Sequence, residues 1–305
     1  MTRVPLAALA ALLVLASAAP PRPAGAAPYT FVLGIAQDGG IPQAGCRLSC
    51  CTSGRHERVA SLAIVDPASR RWWLIDATPD FPSQLAAMAR EAPACSLAGI
   101  FLTHAHIGHY TGLVHLGREV MGSRGMPVWA MPRMREFLAT NGPWSQLVTL
   151  RNIELGSLAA DSAITLGDSL HVTPFRVPHR DEYSETVGFR IDGPRGAVVY
   201  VPDIDKWERW DRRIEDVIRG ASAAYLDGTF FDAAELPGRD MREIPHPFIV
   251  ESLSRFAALP AAERKRIRFV HLNHTNRVGI AGTSERKRVE ASGSRVATSG
   301  ERVPL

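Results

Sequence analysis

Short apolar runs that break at polar or glycine-rich turns recur along the chain at 29–35, 62–65, 72–75, 100–102, 198–201 and 269–272, and each reads as a strand. Between some of them, apolar residues return with helical spacing at 82–90, 131–140, 211–218, 247–256 and 286–291. This alternation predicts an α/β chain of stacked sheets with helices outside. No low-complexity linker, solenoid-length repeat or shift of composition divides the sequence, so a single domain over 27–305 is expected. The polar, basic stretch from Arg277 onward predicts a solvated final hairpin or helix.

The first residues follow a different pattern. Met1, Thr2 and Arg3 precede an apolar run at 6–15, and small residues follow, with Ala16-Ser17-Ala18 and Ala24-Gly25-Ala26 as cleavage sites. That order predicts a secretory signal peptide over 1–26 and a periplasmic or secreted mature protein. The run is shorter than the roughly 18 apolar residues of a membrane span, so no membrane contact is expected once the leader is removed. An uncleaved anchor tethered through 20–28 is the alternative.

Composition narrows the picture further. A chain of 305 residues with 46% hydrophobic and 22% charged residues excludes disordered, collagenous and disulfide-dense classes. The formal charge of +4 carries little information, and Lys206, Lys265 and Lys287 are the only lysines. An arginine excess of this kind reads as coding bias, so a small-molecule substrate is expected rather than nucleic acid. There is no GxGxxG, GxxxxGK[ST] or GxSxG, so dinucleotide binding, P-loop chemistry and a serine nucleophile are not indicated.

The candidate chemistry lies at the strand ends. Directly after the run at 100–102 come His104, His106 and His109 in an HxHxxH array. Three imidazoles on one strand-to-helix loop can converge on zinc or iron, because neutral imidazole is a good ligand for both. One loop alone would leave a metal under-coordinated, so further ligands are expected at other strand ends: His179, Asp203 and His271. Each of these alone is commonly satisfied by ordinary hydrogen bonds, and their order along the chain is what carries weight.

That order resembles the metallo-β-lactamase superfamily. The strings GIAQDGGIPQ at 34–43, DATPD at 76–80 and HLNHTN at 271–276 look most like its PqqB branch, the coenzyme PQQ synthesis protein B group. The resemblance covers the mature chain and implies a four-layer αββα sandwich with its site along one edge of the two sheets. Carried over by position, it makes His104, His106 and His179 ligands of a first metal, Asp203 a bridge, and His109 with His271 ligands of a second. Zinc, one or two ions, is implied, with iron or manganese as alternatives.

Two departures matter. The superfamily pattern is HxHxDH, but position 108 is Gly108, which implies a weakened second site or a substitute oxygen ligand such as Asp38, Asp181 or water. The PqqB branch commonly lacks the first histidines that this chain has, and an exported protein would be separated from an intracellular biosynthetic pathway. Cys46, Cys50 and Cys51 resemble that branch's structural zinc cluster with CxxxCC in place of CxCxxC; His56 is then the obvious fourth ligand, and a disulfide is the alternative. Cys95 reads as a buried small hydrophobe.

A metal held by imidazoles with an open position acidifies its water and polarises a carbonyl or phosphoryl oxygen, so hydrolysis of an ester, phosphoester or amide is the expected reaction. Asp203 would orient the nucleophile. His246 occupies a place similar to a proton-handling histidine in phosphodiesterase branches of the superfamily. His274 competes with His271 as a ligand, with His271 preferred because it ends the apolar run, leaving His274 and Asn276 to line the pocket. Loops at 121–126, 141–146 and 227–239, with Trp144, Phe230 and Phe231, are expected as pocket walls. An iron-dependent oxygenase and a metal-binding protein of reduced activity are the alternative functions.

Overall fold

A computed structural model describes residues 27–305. The leader expected at 1–26 lies outside the described residues. Strands run in chain order as β1 (Tyr29–Gly34), β2 (Ser61–Asp66), β3 (Arg71–Ile75), β4 (Ser96–Phe101), β5 (Met126–Ala130), β6 (Ile153–Ser157), β7 (Ile164–Leu166), β8 (Leu170–Arg176), β9 (Val187–Gly193), β10 (Gly196–Val201), β11 (Ala223–Asp227), β12 (Ile267–Val270), β13 (Arg295–Val296) and β14 (Arg302–Pro304). One sheet has the order β14-β1-β2-β3-β4-β5-β6 and the other β13-β12-β11-β10-β9-β8-β7. In each sheet an antiparallel part meets a parallel part, β3 to β6 in the first and β10 to β13 in the second.

The apolar runs are continuous because the strands are buried on both faces. All six residues of β2 are buried. Leu62 and Ile64 join Trp73, Ile75 and Phe101 against Phe189, Ile191, Val198 and Tyr200 of the other sheet. Ala63 and Val65 point outward with Trp72 and Leu74, where Phe81 and Met88 of the helix Phe81–Glu91 and Met134 and Leu138 of the helix Pro132–Thr140 cover them. Across the molecule, Ile249, Leu253 and Phe256 of the helix Ile249–Phe256 extend the core over the second sheet. These are the four layers of an αββα sandwich. No helix among the described residues is long and apolar enough to cross a membrane.

Several expectations shift in the structure. Strands β5 to β9, β11, β13 and β14 are additional to those read from apolar runs; β8 alternates exposed and buried positions around Pro174, and β11 is short and alanine-rich. The helix expected at 211–218 is confined to Ile214–Val217, since the backbone at Arg213 is extended and Arg212 is tied to Asp161 at 2.8 and 2.6 Å. The C-terminal stretch is not merely solvated. After the helix Ser284–Ala291, whose N-terminus is capped by Thr283, the chain adds β13 to one sheet and β14 to the other, burying Val296, Val303 and Leu305.

Phe101 is fully buried, stacks on Trp129 with centroids 4.6 Å apart and meets Phe189 edge-on at 5.8 Å. Phe101→Ala is expected to cost about 3–5 kcal/mol through the cavity it opens between the sheets. A melting curve should show a fall in Tm of roughly 10 °C; an unchanged Tm would mean that the two sheets do not depend on this contact.

Candidate metal centre

The parallel strands of both sheets end on one edge, and the polar side chains converge there. β4 leads into Thr103, His104, His106 and the turn carrying His109; His179 follows β8, Asp203 follows β10, His271 follows β12, and His246 lies on the loop before the helix Ile249–Phe256. Asp203 is the hub. Its Oδ2 lies 3.1 Å from His179 Nε2, 3.3 Å from His104 Nε2, 3.7 Å from His106 Nδ1, 3.9 Å from His109 Nε2 and 4.0 Å from His271 Nε2. Its Oδ1 is 3.2 Å from His246 Nδ1. The structure thus brings together all seven site residues expected from the sequence.

Each imidazole is aimed by its other nitrogen. His109 Nδ1 donates to Asp76 Oδ2 at 2.7 Å, His179 Nδ1 to Asp205 Oδ1 at 3.1 Å, and His106 Nε2 to Glu182 Oε2 at 3.2 Å. Thr103 Oγ1 donates to the Asp76 carboxylate and in turn accepts from His104 Nδ1 at 3.0 Å. Thr229 Oγ1 likewise donates to Asp227 Oδ1 at 2.7 Å and accepts from His271 Nδ1 at 3.0 Å. Such outer carboxylates and hydroxyls select the tautomer whose lone pair faces the centre. Asp76 and His271 both sit in left-handed backbone, at φ 67° and 63°, an uncommon conformation for side chains other than glycine that concentrates at functional sites.

The donors fit a cation. His104 Nε2, His109 Nε2, His271 Nε2 and Asp38 Oδ1 are buried without a hydrogen-bond partner. His106 Nδ1 and His179 Nε2 face each other at 3.2 Å, and once each ring's second nitrogen donates, their lone pairs repel unless a proton or a cation lies between them. Three overlapping groups have ligand atoms within 4.8 Å of one another: His104, His106, His179 and Asp203; Asp203, Asp227, His246 and His271; and Asp38, His109 and His271. An all-imidazole and carboxylate set suits zinc, iron or manganese.

Proton affinities follow the same geometry. Burial raises the Asp203 carboxyl, but the surrounding His179, His246 and His271 outweigh it and hold it well below the ordinary range. Burial also drives His104 well below the usual histidine value, helped by the charge on His109. His109 goes the other way: Asp76 and Asp38 overcome its burial. His179 reaches about 9 because Asp203 and Asp205 overcome its burial.

A second cluster lies beside the first. Cys46, Cys50 and Cys51 Sγ lie 3.6, 3.4 and 3.4 Å from His274 Nδ1. Three sulfurs and one imidazole nitrogen are the donor set of a closed zinc site. His274, not His56, is the fourth member; His56 is exposed, because the turn after the cysteines carries it outward. The cysteines are unpaired, with Cys50 and Cys51 sulfurs 4.0 Å apart, too far for a disulfide. This placement also separates His274 from His271, which faces Asp38 and Asp203.

Other expectations are redistributed. Asp181 accepts from Thr186 Oγ1 at 2.8 Å and is not in the metal-facing set. Asn276 is buried and donates to the carbonyls of Gly228 and Thr229, bracing the loop after β11. Trp144 packs on Tyr110 and Phe137 in the outer layer, Phe231 belongs to the core, and Phe230 alone of those three borders the cavity at the centre. Sequence reasoning passed over the roles of Asp76, Asp205, Asp227 and Thr229. Asp205 is signalled only by its spacing from Asp203, and Asp227 by closing the unrecognised strand β11.

Fold and site together define a metallo-β-lactamase class of protein. Residues 71–274 match the family described as the beta-lactamase superfamily domain, and the chain belongs to that family. Within it the chain is PqqB-like. It is 28% identical to coenzyme PQQ synthesis protein B of Methylorubrum extorquens strain PA1 over 89% of this chain and 98% of the relative, and 28% identical to that of Xanthomonas campestris pv. campestris strain B100 over 90% and 99%. The crystal structure of zinc-bound PqqB from Methylobacterium extorquens superposes with a TM-score of 0.76 at 25% identity, covering 91% of this chain and all of that one. A diphosphatase of the PhnP family shares the fold at a TM-score of 0.65 and 22% identity, over 91% and 97% of the chains.

At neutral pH the metal-free centre holds protons on His109 and His179 that a cation must displace. Zinc binding is therefore expected to release protons at pH 7, and affinity to rise as pH increases toward about 9, where His179 deprotonates. Calorimetry in buffers of different ionisation heat reads the proton count. An affinity independent of pH across that range would contradict the arrangement.

Proposed function

We propose that the protein is an exported, metal-dependent hydrolase acting on an ester, phosphoester or amide bond of a small molecule, with anionic esters preferred. The observation that carries this reading is the convergence of His104, His106, His109, His179 and His271 on Asp203, each ring aimed by a separate outer partner. A divalent metal held by these residues supplies Lewis acidity and an acidified water. The superfamily includes metallo-hydrolases, and the diphosphatase that shares the fold supports phosphoester substrates. The apolar run and small residues of the leader support a periplasmic or secreted location. The thiolate and imidazole cluster is read as a structural zinc site that holds the loop between β1 and β2.

A cavity of about 700 Å³ opens over the centre, bordered by Asp38, Arg180, Phe230, Arg239 and His246. Arg180 and Arg239 bring two guanidinium groups to a wall that also carries the Asp38 and Glu243 carboxylates, and a guanidinium pair suits an anionic group on the substrate. Asp203 stays ionised and accepts from the nucleophile, orienting it toward the cavity. His246 Nδ1 donates to Asp227 Oδ2 at 2.8 Å. Burial lowers the proton affinity of His246, but Asp227 and Asp203 raise it well above the usual histidine range. With Nδ1 committed to Asp227, the proton at Nε2 is the one available to a leaving oxygen.

His104→Ala is expected to abolish metal-dependent turnover with the fold retained, while His246→Gln lowers kcat about 10²–10⁴-fold with the metal content of the wild type. Turnover surviving in His104→Ala would sink the hydrolytic reading. The same donors suit iron, and oxygen uptake by an iron-loaded protein that cleaves no ester would assign an oxygenase instead.

A double Arg180→Ala and Arg239→Ala variant should lose activity on an aryl phosphodiester much more than on a neutral aryl ester. Equal losses on both would remove the argument for an anionic substrate.

A further inference from the structure

The helix-turn after β4 carries Gly108 where the superfamily's HxHxDH pattern has an aspartate, and the structure shows what fills the space. A Cβ at Gly108 would lie 2.2 Å from Asp38 Oδ1, 2.6 Å from Asp38 Cα and 2.8 Å from Asp38 Cγ. Real Cβ atoms do not approach backbone and carboxylate atoms so closely, so no side chain fits at 108 while Asp38 holds its place. The excluded volume is not empty: it contains a carboxylate brought in from another part of the chain.

That carboxylate points at the second half of the centre. Asp38 Oδ1 lies 3.3 Å from His109 Nε2 and 3.5 Å from His271 Nε2, and all three atoms are buried without hydrogen-bond partners. The backbone fixes the approach. Ala36 bridges Val59 on one side and Leu272 on the other. Gln37 N donates to Leu272 O at 2.9 Å, Leu272 N donates to Ile35 O at 2.7 Å, and Gly40 N closes a turn on Gln37 O at 2.8 Å. Asp38 is therefore registered by main-chain bonds to the residue next to His271, whose imidazole it faces.

We propose that Asp38 is the carboxylate ligand of a second metal position shared with His109, His271 and Asp203, and that Gly108 is its steric counterpart, so that one ligand has moved from the loop after β4 to the loop after β1. This inference rests on the metal-centre reading above. It makes the site binuclear although the HxHxDH aspartate is missing, and it makes glycine at 108 a requirement rather than a loss.

The test is titration of metal-depleted full-length protein with manganese(II), an ion that suits imidazole and carboxylate donors better than the thiolate cluster, with free ion counted by electron paramagnetic resonance. Wild type is expected to bind two ions per chain. Asp38→Asn, which keeps the shape but not the charge, is expected to retain one and to weaken the other at least about tenfold, since even outer partners of ligands cost 10–100-fold. The exchange Asp38→Gly with Gly108→Asp returns a carboxylate from the other backbone and should restore the second ion. Melting curves on each variant establish that it folds, and the Asp38→Asn result decides the matter if the exchange variant does not. Two ions bound by Asp38→Asn with wild-type affinity, or a single ion in wild type, would overturn the proposal. Uptake by wild type no greater than by His104→Ala would overturn the metal-centre reading itself.

Discussion

Five imidazoles packed around one buried carboxylate form the constraint on which the rest of the molecule depends. Their inward nitrogens lie 3.1–4.0 Å from Asp203 Oδ2, and two of them face each other at 3.2 Å. Lone pairs held this close in a region of low dielectric are costly unless protons or cations compensate them. The arrangement persists because each ring is committed elsewhere through its second nitrogen. The sandwich of two sheets serves this end, since strands buried on both faces are rigid supports for the loops at their ends.

The two sheets supply the site by parallel means. At the end of β3, Asp76 receives the Thr103 hydroxyl and His109 Nδ1; at the end of β11, Asp227 receives the Thr229 hydroxyl and His246 Nδ1. In both cases a threonine relays the carboxylate's pull to a further histidine, His104 or His271. The C-terminal strands then link the sheets, because β13 and β14 belong to opposite ones. A shift of either sheet would move half of the imidazoles relative to the other half.

The loop between β1 and β2 forms the third support. It carries Asp38 at one end and the three cysteines that meet His274 farther along, and His274 lies only three residues beyond His271. The cysteine cluster and the imidazole centre are therefore joined through two short stretches of backbone. The cavity wall between them includes Gln37, Asp38, Gln43 and His274, so the same loop shapes the entrance to the site.

The sequence by itself determined the alternation of strands and helices and the array of His104, His106 and His109, because continuous apolar runs and an HxHxxH spacing are local patterns; His179, Asp203 and His271 were strand-end candidates whose order gained meaning from the superfamily resemblance, and His246 entered through that resemblance alone. It also showed that Gly108 left a carboxylate wanting. Which carboxylate answers it was decided by the tertiary structure: Asp38 and Asp181 are equally plausible in one dimension, and only the bridges of Ala36 to Val59 and Leu272 place Asp38 against Gly108. The same holds for His274 over His56 beside the cysteines, and for Asp76, Asp205 and Asp227 behind the histidines. These partners are separated from their targets by tens to hundreds of residues or hidden in strands too short to show a period. Local pattern records what a segment buries, whereas long-range hydrogen bonds depend on how the sheets are stacked.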